Sequence, residues 1–438
     1  MSPELLREEK TRVSDKTLKR ALVCLFVFLY VPFLYQQGYR RAAEQPGDFP
    51  TLYWGAKMVF EEGRSPYVDG AFDAVAEREQ RRIFPYLYPP PSLFAFYPFS
   101  TVTYDAAKVQ LLIVSHVCLL VFLYLFFRLK PFETPPAWRW FVAALMTVYV
   151  LNYSPVADNF AWGQINLIVL ALVLLAWLAI KRGGHALSAA IPLSLAVLLK
   201  TYPLLLLPLL VIRKRYAAAA WTLGLVALYG LLSWWILPRG LWSDWLANVA
   251  PTGGYGLRPF NLPFLPVEPW NHSINGFMLF VQDRLPVVLG VPTRLLTKPL
   301  TYLLAAAVGA VTVGLAYLSA RRGQGDRTFD ADVSLFLLMM FLVAPLSWEH
   351  HLVYALPAAL FAIHFLLTGR ARPLSALCAL ATLLVIAWDV PRDDTFPLQG
   401  VLGLSNAIKF FAAFGLWLFV AKRMWDDLRS VSAAAGDA

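Results

Sequence analysis

Charge is scarce in this chain: 15% of its 438 residues are Asp, Glu, Lys or Arg, against 58% hydrophobic residues. A soluble domain carries about 25% charged residues, so a water-surrounded globule is excluded and a bilayer is the expected solvent. Cysteine is equally sparse. Cys24, Cys118 and Cys378 lie far apart inside apolar runs, which excludes a disulfide framework or a zinc site and leaves packing or lipid contact. There is no glycine-rich phosphate loop, no Ser-His-Asp order, no nucleotide-binding pattern and no internal repeat. The formal charge of +10, from 38 Lys and Arg against 28 Asp and Glu, does not point to nucleic acid. The basic residues fall in short clusters between apolar runs, as topology signals do.

What is present is a series of apolar runs. They lie near 20–37, 105–127, 138–151, 164–180, 186–212, 216–237, 299–320, 332–346, 351–368, 373–389 and 402–421. The first follows a basic start, lacks a convincing cleavage site and reads as a retained signal-anchor helix. With the basic N-terminus inside, the clusters at Lys181-Arg182, Arg321-Arg322 and Lys422-Arg423 are expected inside too. One run conflicts: 186–212 has Lys181-Arg182 before it and Arg213-Lys214-Arg215 after it, so both ends belong inside. A hairpin resolves the conflict if it turns at Lys200-Thr201-Tyr202-Pro203, where proline removes a helical hydrogen bond. The expected fold is therefore all-α and polytopic, with about 12 membrane segments, on the span arithmetic of about 20 apolar residues each. A short cytoplasmic segment, 1–19, precedes a single membrane domain, 20–422, and a cytoplasmic tail, 423–438, follows it. Two long, aromatic-rich outer loops, 38–104 and 238–298, are expected to be ordered caps.

The hairpin puts the polar connections on one outer side, and the candidate residues converge there. Asp48 follows the first run, at the outer surface. A carboxylate there can take the proton of an attacking hydroxyl without a metal; it can equally be a helix N-cap, with Pro50 in the first turn. Lys200 at mid-membrane would cost about 2.5–3.5 kcal/mol facing lipid, so it belongs in a wet cavity or snorkels at the interface. Gln164 and Asn166 open an apolar helix, where their amides can hold sugar hydroxyls or satisfy the helix end. Asn271 lies in the second long loop, and His350 and His351 follow Ser347-Trp348-Glu349. The histidines lack the spacing and third ligand of a zinc site; they can donate hydrogen bonds to phosphate or sugar. Arg258 and Arg284 are further cations of the second loop. Asp330-Ala331-Asp332 matches the Asp-x-Asp of nucleotide-sugar enzymes but falls on the cytoplasmic side, where helix capping is expected.

In order, the chain presents Asp48 before an amphipathic stretch, Gly63-x-x-Pro66-Tyr67, Tyr88-Pro89-Pro90 and Trp162-Gly163-Gln164-Ile165-Asn166-Leu167. Leu199-Lys200-Thr201-Tyr202-Pro203, Asn271-His272-Ser273 and Ser347-Trp348-x-x-His351 follow. This series resembles the membrane glycosyltransferases of family 87, which have the multi-span glycosyltransferase-C fold and include polyprenyl-phosphate-mannose-dependent mannosyltransferases. The resemblance implies inverting transfer of a sugar, mannose in the characterised case, from a polyprenyl phosphate donor to a lipid or glycan acceptor outside the inner membrane. It implies that Asp48 is the general base and that Lys200 and His351 line the donor cavity. Tyr88, Gln164, Asn166, Asn271 and His350 complete the candidate donor-binding set. No metal, cofactor or nucleic acid is expected, and the bilayer is the remaining partner. Two other readings stay open. A flippase of a lipid-linked sugar would show paired repeats with matching broken helices, and an oligosaccharide ligase would show a dominant central loop with paired arginines.

Overall fold

A computed structural model describes residues 17, 20, 21, 23–44, 47–129, 138–255, 271–289, 294–322, 325–368, 372–388 and 407–436. Arg258 lies outside them, as does the side chain of Arg284. Among the described residues the chain is all helix, without a strand. Four helices among the described residues are long and apolar enough to cross a bilayer: Tyr104–Leu129, Tyr216–Ile236, Thr297–Arg321 and Glu349–Thr368. Arg139–Leu151 and Ser154–Ala161, bent by 43° at their junction, make a fifth as a broken span. The bend falls at Asn152-Tyr153, where Tyr153 is extended and Pro155 begins the next turn. Shorter apolar helices are Asn166–Lys181, Ala186–Leu199, Tyr202–Ile212 and Pro373–Ala387. The Tyr216–Ile236 helix leaves most of its apolar surface uncovered, with Trp235 88% exposed, an arrangement that a lipid surrounding makes favourable. Cys24 and Cys378 are exposed and Cys118 is partly covered, all unpaired.

The centre is the helix Gly325–Val343, in which every residue from 330 to 342 is buried. A helix apolar all round fits such a position. Two acids on it fix the polarity of the 186–212 segment. Lys181, ending the Asn166–Lys181 helix, reaches Asp330 at 2.5 Å, and Arg213, ending the returning helix, pairs with Asp332. Both ends of the segment therefore meet two residues of one helix, and the segment does turn back. The turn is built where Lys200 is extended (φ −144°, ψ 132°) and Pro203 opens a 3₁₀ turn, Tyr202–Leu206.

These contacts correct the reading of Asp330 and Asp332 as helix caps. The helix starts at Gly325, too early for either to cap it. Asp330 instead accepts from Lys181 and the Trp177 indole, while Asp332 is fully buried against an Arg213 side chain only 6% exposed. Removing one member of a buried pair strands the other charge. Arg213→Met should therefore cost about 3–5 kcal/mol, read as a lower unfolding midpoint in detergent. Unchanged stability would mean that the pair does not close the hairpin.

The described part of the 38–104 segment is folded. It contains helices Phe49–Glu62, Asp73–Arg78 and Ser92–Ser100, and Gly63 closes the first of them in the left-handed conformation that glycine tolerates. Their apolar faces form a second core through Leu52, Tyr53, Tyr67, Tyr86 and Phe96, joined by Leu237, Leu241 and Val249 of the second loop. Asn248 donates to the Tyr67 carbonyl at 2.9 Å, tying the two caps together. At the other end, the C-terminal helix runs unbroken from Ile408 to Gly436. The last apolar run and the basic stretch after it are thus one helix.

Candidate active site

Asp48 stands at the N-cap position of Phe49–Glu62, yet its side chain caps nothing. Its carboxylate accepts a hydrogen bond from Gln164 Nε2, across 116 positions of sequence. Two glycines allow that approach. The Asp48 N–H donates to the Trp162 carbonyl at 2.7 Å, and a side chain on Gly47 would lie 2.4 Å from that oxygen. Gly163 has φ +60°, and a Cβ there would sit 2.7 Å from the Phe49 Cβ. The Trp162-Gly163-Gln164 motif is therefore a seat for the Asp48 backbone, with Gln164 aimed at its carboxylate. Gly163→Ala is expected to lower the unfolding midpoint, since alanine is strained at φ +60°, and to push Phe49 away, breaking the Asp48–Gln164 contact and lowering the turnover of the folded protein at least tenfold. An unaffected rate would show that the contact is dispensable.

Gln164 is the hinge of the cluster. Its Oε1 accepts from the Tyr88 hydroxyl at 3.3 Å and from Lys200 Nζ at 3.4 Å. Lys200, 8% exposed at the tip of the hairpin, lies 5.6 Å from the Tyr88 ring centroid, a favourable cation–π distance. Its Nζ is 2.7 Å from His351 Nε2. The other ring nitrogen, Nδ1, accepts from the Trp348 backbone N–H at 3.0 Å. A neutral His351 so bonded carries its proton on Nε2, and that N–H points at Lys200. An anionic oxygen placed within reach of both nitrogens can accept from both.

Asp48 and Lys200 thus meet opposite ends of one amide. Burial pushes the Asp48 carboxyl up to about 6, against the downward pull of the Gln164 hydrogen bond and the Lys200 charge. Such a group is a carboxylate at neutral pH but a stronger proton acceptor than an exposed one.

The structure brings Asp48, Tyr88, Gln164, Lys200 and His351 together. Asn166 and Asn271 are engaged elsewhere, and His350 touches the cluster through His351. Asn166, fully buried, donates to Asn159 Oδ1 at 3.1 Å and accepts from the Tyr354 hydroxyl at 3.1 Å, so it braces the site. His350 packs its ring 4.6 Å from that of His351, and its carbonyl accepts from Asn159 at 2.7 Å. Asn271 joins the second loop to the 345–347 turn: it donates to the Pro345 carbonyl at 3.0 Å and accepts from the Ser347 N–H at 3.0 Å.

Sequence reasoning passed over Asn159 and Lys409. Lys409 is 1% exposed and pairs with Glu349, directly before the two histidines. A lone lysine inside the apolar run 402–421 was the available signal. Among the described residues no group of three His, Cys, Asp or Glu could hold a metal ion.

A multi-pass helical protein with a carboxylate and a cation gathered beneath an ordered cap is the class that this geometry defines. The chain belongs to glycosyltransferase family 87, whose family model matches residues 86–345. That match includes Tyr88, Gln164, Asn166, Lys200 and Asn271 and leaves Asp48, His350 and His351 outside. The chain is 28% identical, over 312 residues, to the polyprenol-phosphate-mannose-dependent alpha-(1-2)-phosphatidylinositol mannoside mannosyltransferase of Mycolicibacterium smegmatis, covering 68% of this chain and 65% of that protein. It is 26% identical over 316 residues to the protein of the same name in Mycobacterium tuberculosis, covering 69% and 67%. The aligned part thus spans just under two thirds of the first relative.

Proposed function

We propose that this protein is a hexosyltransferase of the glycosyltransferase-C type, with about 12 membrane segments. It moves mannose from a polyprenyl phosphate carrier to the hydroxyl of a lipid or glycan acceptor on the outer face of the inner membrane. The observation that carries the proposal is the placement of Asp48 and Lys200 at the two ends of the Gln164 side chain. Asp48 takes the proton of the acceptor hydroxyl as its oxygen attacks the anomeric carbon. The bond from that carbon to the phosphate oxygen breaks on the opposite side, so the anomeric configuration inverts. Lys200 and His351 receive the charge that gathers on the departing polyprenyl phosphate, and Tyr88 flanks Lys200 and offers its ring to the sugar. No step in this scheme is assigned to a metal. The names of the two relatives, which specify a polyprenol-phosphate-mannose donor, support the same reading.

The test is transfer by purified protein in sealed liposomes, from radiolabelled mannosyl phosphopolyprenol to a bacterial lipid and glycan extract. Labelled product from wild type is expected. Label crossing the bilayer without forming a product would instead indicate a flippase.

A further inference from the structure

Lys409, 1% exposed near the start of the C-terminal helix, takes no part in the scheme above. Its ammonium has three N–H groups and spends all of them: on the Glu349 carboxylate, on Ser154 Oγ at 3.3 Å and on the Ile386 carbonyl at 3.4 Å. None is left for a substrate. Glu349, 3% exposed, is held from a second side by the Ser154 hydroxyl at 3.1 Å. The pair therefore joins four pieces of chain: the C-terminal helix, the end of Pro373–Ala387, the start of Ser154–Ala161 and the 3₁₀ turn Glu349–Ala355.

Replacing a buried ion pair by apolar side chains of similar size is often neutral or stabilising, so stability alone gives no reason for two charges at this depth. What they hold does. Glu349 lies between Trp348, whose N–H meets His351 Nδ1 at 3.0 Å, and His351 itself, whose Nε2 stands 2.7 Å from Lys200 Nζ. A shift of Glu349 moves both the ring and the group that orients it. Two further anchors of the turn act on its backbone: the His350 carbonyl accepts from Asn159 at 2.7 Å, and the Leu352 carbonyl accepts from the Tyr153 hydroxyl at 2.9 Å. Both come from residues 153–159, and the charged tie to the C-terminal helix is Lys409.

We infer that Lys409 and Glu349 are positioning residues, which hold the 348–351 backbone so that the His351 ring meets Lys200 where the phosphate departs. The use assigned to them rests on the proposed transferase reading; the hold on the ring does not.

The test is the double variant Glu349→Met/Lys409→Met, as the full chain in nanodiscs. It strands no charge, and Ser154 keeps the Trp388 carbonyl at 3.0 Å as its acceptor. The unfolding midpoint should equal or exceed that of wild type. The kcat for transfer from mannosyl phosphopolyprenol should nonetheless fall about 10- to 100-fold, the effect of misplacing a group by about 1 Å, with acceptor KM unmoved. On a His351→Asn background the same two changes should cost nothing further, because positioning acts through that ring. In protein carrying isotope-labelled histidine, the His351 ring signals are identified by their loss in His351→Asn. Solid-state NMR should show those signals shifted in the double variant. An unchanged kcat, ring signals that stay in place, or a full further loss on the His351→Asn background would each overturn the assignment. Ring signals that move in a protein whose wild type transfers nothing would keep the hold and sink the transferase reading; signals that stay in place while wild type transfers would sink the hold alone. Should the double variant not fold, Ser154→Ala takes one hydrogen bond from the pair and no charge, and the same ring signals decide: a shift supports the hold and constancy overturns it.

Discussion

Asp48→Asn is expected to lower the transfer rate about 100- to 10,000-fold, the span a positioned general base supplies, while leaving the helical fold intact. Asparagine keeps the size of the side chain and a contact with Gln164, but it cannot take a proton. The fold should lose nothing, because burial already disfavours the charged carboxylate: its pKa is raised to about 6. A raised carboxyl favours folding at low pH and gives that up as pH rises through 6, so removing the charge at neutral pH relieves a penalty. Circular dichroism and unfolding midpoint should therefore match or exceed wild type. The pH profile carries the same signature. Only the deprotonated carboxylate is a base, so wild-type turnover should climb as pH rises through about 6 and level off above. The residual activity of Asp48→Asn should lack that limb. A folded Asp48→Asn protein with the wild-type rate would remove Asp48 from the mechanism.

Lys200→Gln is expected to cost about 100- to 1,000-fold in kcat, the effect of removing one preorganised donor from a developing oxyanion. Donor KM should rise as well, since the ground-state phosphate is already anionic. Acceptor KM should stay near wild type. Lys200→Arg should not restore activity: the space between His351, Gln164 and the Tyr88 ring suits a compact ammonium, and a planar guanidinium would displace one of them. The measurement is steady-state kinetics with donor and acceptor varied separately. A rise confined to acceptor KM would place Lys200 on the wrong side of the reaction.

Charge was the readable part of the fold. The basic flanks of 186–212 demanded a turn, and the lysine and proline in the middle said where it would be; Lys181 and Arg213 meeting one helix is the physical form of that demand. The same logic misjudged Asp330 and Asp332. Acids near a helix start are ordinary caps in water, but in a buried helix they need cations, and theirs come from 149 and 119 positions earlier in the chain. The candidate site was legible as a set of residue types on one side of the membrane, and not as a set of contacts. Nothing local distinguishes Gln164, which joins Asp48 to Lys200, from Asn166 two positions later, whose amide is spent on Asn159 and Tyr354. Their difference comes from the left-handed glycine at 163 and the helix start at Asn166, which turn one amide toward the cap and the other into the core. Likewise His350 and His351 are equivalent by type, and the 3₁₀ turn that begins at Glu349 alone sets His351 against Lys200.

The most direct test of a base and a leaving-group cation on opposite sides of the sugar is the anomeric configuration of the product. Wild-type protein should be supplied with mannosyl phosphopolyprenol of defined anomer, and the new glycosidic bond read by NMR from its one-bond carbon–proton coupling. A product of the opposite anomer is the expected result, since the hydroxyl activated at Asp48 must displace a phosphate held at Lys200. A product that retains the donor's configuration would require either a double displacement or attack from the leaving group's own face, and would contradict the role given to Asp48.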